Sequence, residues 1–293
     1  MKTRRFLKVI IPALAILVLF LTCKTSDLRT ETIKNEGINA DNQQKAKIIV
    51  GEALMKMNAK KWLEHKTYEV IGSDYWYPLL FMNLSPWPAK NGAKIRHTFA
   101  TNTFDSKIQW LDGKLMGEVM GIQSWQLYRK EIKGDYSKIK KDSKISFILP
   151  TIHYFNELLI RLSNAQIVVY AGEEKIGDDV FDLIFCTWDS PKPNKHDQYL
   201  MYINQKNKRL ERVSYTIRDN YMWTPKSFYG TAVYSDFKEV DDITIPFKME
   251  VFPFGQTKKM KVHTYTIESI IFDPIFIEAL YPFEGVKKLG DSK

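Results

Sequence analysis

The second half of the chain alternates apolar and polar residues with a period of two. In residues 213–217, 247–251 and 260–264, apolar side chains, or in one case a threonine, occupy every second position. Successive side chains of a β-strand point to opposite faces of a sheet, so this pattern gives each strand one apolar and one polar face. An antiparallel sheet with a single buried side has this signature. We therefore predict a β-dominated α+β fold.

Other segments extend this sheet. Apolar runs at 180–185 and 199–203 predict two further strands, joined by the proline-containing loop 190–194. Asp112 and Gly113 stand between apolar residues, and this dipeptide predicts a hairpin joining 107–111 to 114–116, since both turn positions favour positive φ. Residues 119–128 are predicted to continue as one strand.

Two helices are predicted to pack on the apolar side of the sheet. The first begins at Asp41, where Gln44 completes a capping box, and its apolar stripe runs to Met57. The second begins at Pro150, because proline suits a first helical turn. The order of elements is not the strand–helix alternation of nucleotide-binding folds, and the chain has no glycine-rich phosphate loop.

The N-terminus has the composition of a secretory signal peptide. Four basic residues within the first eight precede an uncharged apolar run at 9–21. This run is shorter than the roughly 20 residues that a transmembrane helix needs. We predict a signal peptide at 1–22. Its removal takes away four positive charges and no negative ones, so the formal net charge falls from +9 to +5.

The residues after this run resemble the lipobox of bacterial lipoproteins. Phe20, Leu21 and Thr22 precede Cys23, although the family usually has leucine at the first position and a small residue before the cysteine. The resemblance implies that Cys23 is acylated, for example with palmitate, and that the chain is exported and anchored to a membrane. The alternative is an uncleaved signal anchor. We predict a flexible polar tether at 23–40 and a single domain at 41–293.

Composition narrows the class of protein. The chain has 293 residues, 44% of them hydrophobic and 26% charged, which excludes wholesale disorder. A mean hydropathy of −0.30 excludes a polytopic membrane protein. The positive charge is spread out, without a dense Arg/Lys block beside exposed aromatic residues, so we do not expect nucleic-acid binding.

The order of segments between residues 167 and 272 is similar to the LolA/LolB-like superfamily of bacterial envelope proteins. The similarity rests on a turn and strand at 177–183, a strand ending at 204 and followed by 207–210, and the segment 234–249. Family members have valine, aspartate and glycine before a hydrophobic-x-Ile-Pro sequence, and here Asp242 replaces the glycine. Aspartate tolerates positive φ, so we expect the turn to survive.

This resemblance implies a curved, incomplete antiparallel β-barrel, a half-barrel whose concave face is plugged by helices. It also implies non-covalent binding of acyl chains, from lipids or lipoproteins, in a cavity between sheet and helices, with no cofactor and no catalytic residue. We place six residues on the cavity wall: Trp110, Met116, Trp125, Phe185, Tyr202 and Tyr215. Ordinary packing between sheet and helices is the alternative for each of them.

Other polar groups receive structural interpretations. His153, Glu157 and Arg161 follow one another at steps of four, but a zinc site needs more histidine or cysteine ligands. We interpret them as a solvated helix stripe with weak ion pairs. Cys186 lies in an apolar run and is interpreted as a small buried hydrophobe rather than a nucleophile.

The sequence therefore predicts a lipid-anchored envelope protein, facing the periplasm or the cell surface, that holds a hydrophobic ligand and is not an enzyme. The alternative is a cavity-free scaffold for an envelope complex. The identity of the ligand, the membrane that receives the anchor and the oligomeric state stay open.

Overall fold

The structure is a computed structural model that describes residues 25–78, 83–218, 221–222, 224–255 and 260–284. The predicted signal peptide and Cys23 lie outside these ranges. The described helices are α1 (Glu31–Glu36), α2 (Ala40–Met57), α3 (Ala59–Glu64), α4 (Ser143–Asn156) and α5 (Leu158–Ser163). The described strands are β1 (Thr67–Trp76), β2 (Lys94–Ala100), β3 (Ser106–Trp110), β4 (Val119–Gln123), β5 (Gln126–Lys130), β6 (Tyr136–Lys138), β7 (Ile167–Ile176), β8 (Asp179–Thr187), β9 (Tyr199–Asn204), β10 (Leu210–Thr216), β11 (Tyr229–Val240), β12 (Ile243–Pro253) and β13 (His263–Phe272).

All these strands form one antiparallel sheet in the order β6-β5-β4-β3-β2-β1-β13-β12-β11-β10-β9-β8-β7. The two end strands, β6 and β7, do not pair with each other, so the sheet stays open. β13, the last strand in the chain, lies between β1 and β12 and joins two six-stranded halves. The predicted β-dominated α+β half-barrel is confirmed.

The turn between β11 and β12 contains Asp242, at the position where the LolA/LolB-like sequence pattern has glycine. Asp241 and Asp242 have φ of 52° and 59°, the positive values that a two-residue hairpin turn requires. Lys61 of α3 donates to the carboxylates of both, at 2.7 Å and 3.0 Å. The turn therefore survives without glycine, as predicted, and it is tied to the helix layer.

Two predictions for the first half of the sheet are wrong. Residues 114–116 form turns rather than a strand, so β3 and β4 are joined by a longer connection than a two-residue hairpin. The predicted strand at 119–128 is split into β4 and β5 at Ser124 and Trp125, whose φ values are 48° and 66°. Asp105 fixes this turn, because its Oδ1 accepts from the Ser124 amide at 2.6 Å.

Both predicted helices exist, but they begin earlier than predicted. α2 is capped by Asn39, whose side chain accepts from the Asn42 amide at 2.9 Å. α4 is capped by Asp142, which accepts from the amides of two residues of the first turn. Pro150 consequently lies inside α4 and not in its first turn.

The segment predicted as a flexible tether is folded onto the sheet over its described part. α1 buries Ile33 against Val169 and Phe185. Thr30 Oγ1 donates to the Ala171 carbonyl at 2.6 Å, and Ser26 Oγ donates to the Phe228 carbonyl at 3.1 Å. The tether prediction is corrected because apolar residues spaced along this polar segment cover the outer face of β7, β8 and β9.

The sheet therefore has apolar clusters on both faces at this end. Along β8, Phe185 belongs to the outer cluster, whereas Ile184 and Cys186 belong to the main core under the helices. The main core lies between the inner face and α2, α4 and α5, and the predicted buried stripe of α2 is confirmed by Ala46, Ile49, Val50 and Ala53.

Two glycines make a matched pair for a stability test. Gly72 lies at a bulge of β1, where an added Cβ would stand 2.2 Å from the Thr266 carbonyl oxygen. Gly51 lies inside α2, where an added Cβ would meet nothing within 4 Å. We expect Gly72→Ala to lower the free energy of unfolding by about 1–3 kcal/mol. Gly51→Ala should raise it by about 0.5–1 kcal/mol, since alanine restricts the unfolded chain. Urea denaturation of both variants measures these changes, and equal effects would contradict the bulge geometry.

Candidate functional site

Two adjoining hollows lie between the helices and the inner face of the sheet. The first has about 470 Å³ of empty space, including the part open to solvent, and the second has about 370 Å³ on the same measure. Four residues line both: Phe155, Asn156, Tyr234 and Pro246. The hollows therefore share a wall at the junction of α4 with β11 and β12.

The first hollow has mainly apolar walls. α2 contributes Ala53 and Met57, and the other apolar members are Phe155, Leu158, Leu159, Leu210, Tyr234, Phe237 and Pro246. Lys56 and Arg209 also line it, and the Arg209 guanidinium lies 5.0 Å above the Phe237 ring. Such walls can exclude water from an apolar chain, with cations nearby.

The second hollow is lined by side chains of α3, β1, β12 and β13 in addition to the shared wall. Its lining residues are Trp62, Tyr68, Val70, Phe155, Asn156, Tyr234, Ile245, Pro246, Lys248, Met249, Tyr265, Ile267 and Ile270. The Tyr68 hydroxyl faces the Glu157 carboxylate, and the Tyr265 hydroxyl faces the Asn156 amide. The Tyr234 hydroxyl donates to the Phe155 carbonyl at 3.1 Å.

The phenols of Tyr68 and Tyr265 are neutral at physiological pH. Burial raises the pKa of Tyr68 well above its usual value, and the nearby charge of Glu157 raises it further. Burial also raises the pKa of Tyr265, although the facing Asn156 amide acts in the opposite direction. Both side chains consequently keep a proton to donate.

His153, Glu157 and Arg161 are buried beside this site, so the prediction of a solvated stripe is wrong. Glu157 Oε1 lies 3.2 Å from His153 Nε2, and its Oε2 accepts from the Arg161 guanidinium at 2.7 Å. Arg161 also donates to the Thr103 carbonyl at 2.7 Å and lies 4.4 Å above the Phe104 ring. The sequence carried a signal for this, since α4 and α5 are apolar on nearly all sides and such helices are buried.

Opposing effects set the protonation of this cluster. Burial acts to raise the pKa of Glu157, but the attraction of His153 and Arg161 outweighs this effect. The pKa of Glu157 therefore lies below its ordinary value. Burial lowers the pKa of the neighbouring His97 well below its usual range, and His153 adds to this effect. Glu157 is therefore ionised and His97 neutral at physiological pH.

None of the six residues placed on the cavity wall by sequence lines either hollow. Trp110 is buried in the main core, Trp125 is half-buried at the β4–β5 turn, and Met116 is 61% exposed. Tyr215 contacts a residue of the shared wall, since its ring packs edge-on against Phe155 with centroids 4.8 Å apart.

Phe185 and Tyr202 lie on the outer face with Ile33, and their assignment to the cavity is corrected. Their strands are apolar on both sides, so alternation could not indicate which side faces the helices. The structure instead places Trp62, Tyr68 and Tyr265 in the second hollow, and the sequence analysis did not single them out.

Trp76 and Trp87 are held by a buried carboxylate of β1. Asp74 Oδ2 accepts from Trp76 Nε1 at 2.6 Å and from Trp87 Nε1 at 2.9 Å. Its Oδ1 lies 2.8 Å from His263 Nδ1, and the His263 ring stacks on Trp76 at 4.3 Å. This cluster joins β1, β13 and the following loop outside the two hollows.

The described residues contain no group of three His, Cys, Asp or Glu side chains that could hold a metal ion. Cys186 is a free, fully buried thiol whose pKa is raised by burial, in agreement with its interpretation as a small hydrophobe. Among the helices that the structure describes, none has the length and apolar character needed to cross a bilayer.

No family model matches the sequence, and no curated protein matches it. Among solved structures, the chain is similar to a DUF1329 family protein from Desulfovibrio piger, with 9% identity, a TM-score of 0.51, and coverage of 82% of this chain and 97% of that one. It is also similar to a LolA superfamily protein from Nitrosomonas europaea, with 11% identity, a TM-score of 0.46, and coverage of 77% and 92%. The Mycobacterium tuberculosis lipoprotein LppX matches with 15% identity, a TM-score of 0.23, and coverage of 59% and 89%.

The similarity to the DUF1329 family protein supports the observed fold, an open antiparallel sheet with helices. At these identities the likeness concerns the fold alone. What the chain binds has to be argued from its own hollows.

Proposed function

We propose that this protein binds an apolar chain, such as the acyl chain of a lipid or lipoprotein, in the two hollows without covalent chemistry. The observation that supports the proposal is the pair of adjoining hollows with apolar walls under an open sheet.

The energetics favour an elongated apolar ligand. Burying one methylene contributes about 0.8 kcal/mol, and association costs about 4–15 kcal/mol of lost freedom. Several methylenes must therefore leave water before binding becomes measurable. A fatty acyl chain meets this requirement through its many methylenes.

A bulky side chain in the first hollow should block binding. Cells are fed a fatty acid that carries an alkyne and a photoreactive diazirine. Irradiation should then cross-link this lipid to the full chain, at peptides that line the hollows. Ala53 is buried on the wall of the first hollow, and Ala53→Phe should reduce this labelling about tenfold, because overpacking costs about 1–3 kcal/mol.

The matched control is Met55→Phe, on the same helix but with a 75% exposed side chain. It should leave the labelling unchanged. Absence of labelled wild-type protein would overturn the proposal in favour of a packed scaffold without a small ligand.

We further propose that the chain is exported and anchored to an envelope membrane through acylation of Cys23, after removal of residues 1–22. The anchor would hold the domain beside its source of lipid. Two acyl chains bury enough methylenes for stable attachment, whereas one chain gives only marginal binding.

Labelling with an alkyne analogue of palmitate tests the anchor. Cys23→Ala should abolish thiol-linked and amine-linked label and release the protein from membranes. Cys186→Ala is the control and should retain label, since the Cys186 thiol is buried. Equal labelling of wild type and Cys23→Ala would refute acylation at Cys23.

A further inference from the structure

The beginning of the described chain is fastened to one end of the sheet. The Ser26 amide donates to the Lys226 carbonyl at 2.9 Å, and the Ser26 hydroxyl lies 3.1 Å from the Phe228 carbonyl that accepts from it. The Arg218 guanidinium donates to the Ser26 carbonyl at 3.1 Å. Ser26 is 8% exposed, so these bonds are shielded from water. The segment therefore has a fixed position beside the beginning of β11.

This attachment limits the distance between Cys23 and the sheet. Cys23 precedes Ser26 by three residues, and an extended chain advances at most about 3.6 Å per residue. Their Cα atoms are therefore separated by at most about 11 Å. Acyl chains on Cys23 would consequently hold the membrane close to the end of the sheet at which β11 begins.

The same end of the sheet exposes apolar side chains. Antiparallel pairing places the ends of β1 and β12 beside the beginnings of β13 and β11. The exposed side chains there are Tyr75 at 45%, Phe254 at 42% and Met260 at 43%. The ring centroids of Phe254 and Phe228 are 5.3 Å apart, and Phe228 is a partner of Ser26. Four strands about 4.8 Å apart span about 15 Å, so this patch lies beside the attachment.

Charge distinguishes this end of the four strands from the opposite one. Exposed apolar residues alone do not, since Ile271 and Phe276 are exposed at the opposite end. The segments that flank β1, β11, β12 and β13 on the side of Ser26 contain six basic residues and one acidic residue: 77–93, 217–228 and 254–262. Those on the opposite side contain one basic and four acidic residues: 65–66, 241–242 and 273–280. Anionic lipid headgroups attract the first end and repel the second.

We propose that the end of the sheet that exposes Tyr75, Phe254 and Met260 lies against the headgroups of the membrane that holds the Cys23 acyl chains. Aromatic side chains suit the boundary between lipid and water, and nearby lysines add attraction to anionic lipid. The opposite end of the sheet then faces away from the bilayer. This inference rests on the proposed acylation of Cys23, and it adds an orientation that acylation alone does not specify.

A matched pair of labelling positions tests the orientation. Met260 lies just before β13, and Ile271, which is 52% exposed, lies near its other end. The eight residues from His263 to Ile271 span about 26 Å. Met260→Cys and Ile271→Cys are each labelled with a thiol-reactive nitrobenzoxadiazole dye. Cys186 is buried, so the dye reacts at the introduced cysteine of the acylated chain.

The labelled full chain, purified from membranes in detergent, is reconstituted into vesicles of phosphatidylethanolamine and phosphatidylglycerol. The vesicles contain a phospholipid with a doxyl group, which quenches the dye at short range. Flotation of the vesicles measures attachment. The dye at position 260 should be quenched several-fold more strongly than the dye at position 271, because only the first lies at the membrane.

A pair of charge variants tests the role of the basic residues. In the Met260→Cys background, Lys226→Glu should lower the ratio of docked to undocked protein, measured by quenching, about fivefold or more. Lys206→Glu makes the same charge change at an exposed position of the turn between β9 and β10, at the opposite end of the sheet. It should leave the quenching unchanged.

The outcomes separate the orientation from the anchor. Protein that floats with the vesicles but shows equal quenching at both positions, stronger quenching at 271, or none at 260 would overturn the orientation and leave the anchor intact. Equal effects of the two lysine variants would also contradict the proposed surface. Protein that does not float would overturn the acylated anchor and the orientation with it.

Discussion

Replacing Asp74 with alanine should lower the free energy of unfolding by about 3–5 kcal/mol. The substitution removes the acceptor of two indole N–H groups and of the His263 ring, all of which stay in a buried cluster. A buried donor left without an acceptor lowers the free energy of unfolding by more than the net contribution of one hydrogen bond. The change should appear as a lower midpoint in urea denaturation followed by tryptophan fluorescence, since Trp76 and Trp87 report directly on this cluster.

An exposed carboxylate provides the control. Asp236 pairs with Lys238 at 3.1 Å, with both side chains about half exposed. Asp236→Ala should change the free energy of unfolding by less than about 1 kcal/mol. If Asp74→Ala stayed within the same limit, the cluster would not have the stabilising role described above.

Replacing Glu157 with leucine should be equally destabilising, by about 3–5 kcal/mol, because it leaves the Arg161 guanidinium buried without its carboxylate. The double variant Glu157→Leu/Arg161→Met removes both charges and should recover a large part of this loss. Urea denaturation of wild type, the two single variants and the double variant completes the cycle. Additive effects of the two substitutions would show that the ion pair is not coupled.

The same residue gives a pH dependence with a defined sign. The pKa of Glu157 is lower in the folded chain than its ordinary value. Its contribution to stability is therefore complete above that ordinary value and is lost as the pH falls through the lowered folded pKa. Between about pH 6 and about pH 3, wild type should lose more stability than Glu157→Leu, as judged by the urea midpoint at each pH.

The regular features of the fold could be predicted from local sequence. Period-two alternation identified β10 and β12, and the Asp241–Asp242 pair identified the turn before β12 as one that tolerates positive φ. These signals lie within about ten residues, so no tertiary information is needed to interpret them. The two helices begin one and seven residues earlier than predicted, because Asn39 and Asp142 cap them ahead of Asp41 and Pro150.

The residues that line the second hollow could not be identified from the sequence for a physical reason. Tyr68 and Tyr265 are distant in sequence, and only the pairing of β1 with β13 brings their strands together. Phe185 was placed in the cavity because it is large and apolar, but its strand is apolar on both faces. Similarly, a glutamate such as Glu157 is predicted to lie on the surface unless the apolar character of α4 and α5 is considered.

The position of β13 between β1 and β12 determines when the sheet can be completed. A chain that emerges from a ribosome or a secretion channel presents β1 to β12 before residue 263 is available. Until then β1 and β12 each lack the strand that lies between them, and each half of the sheet has an exposed edge there. The sheet can therefore be completed only when the carboxyl-terminal segment is present. A chain truncated before residue 263 should contain two unjoined half-sheets and should aggregate.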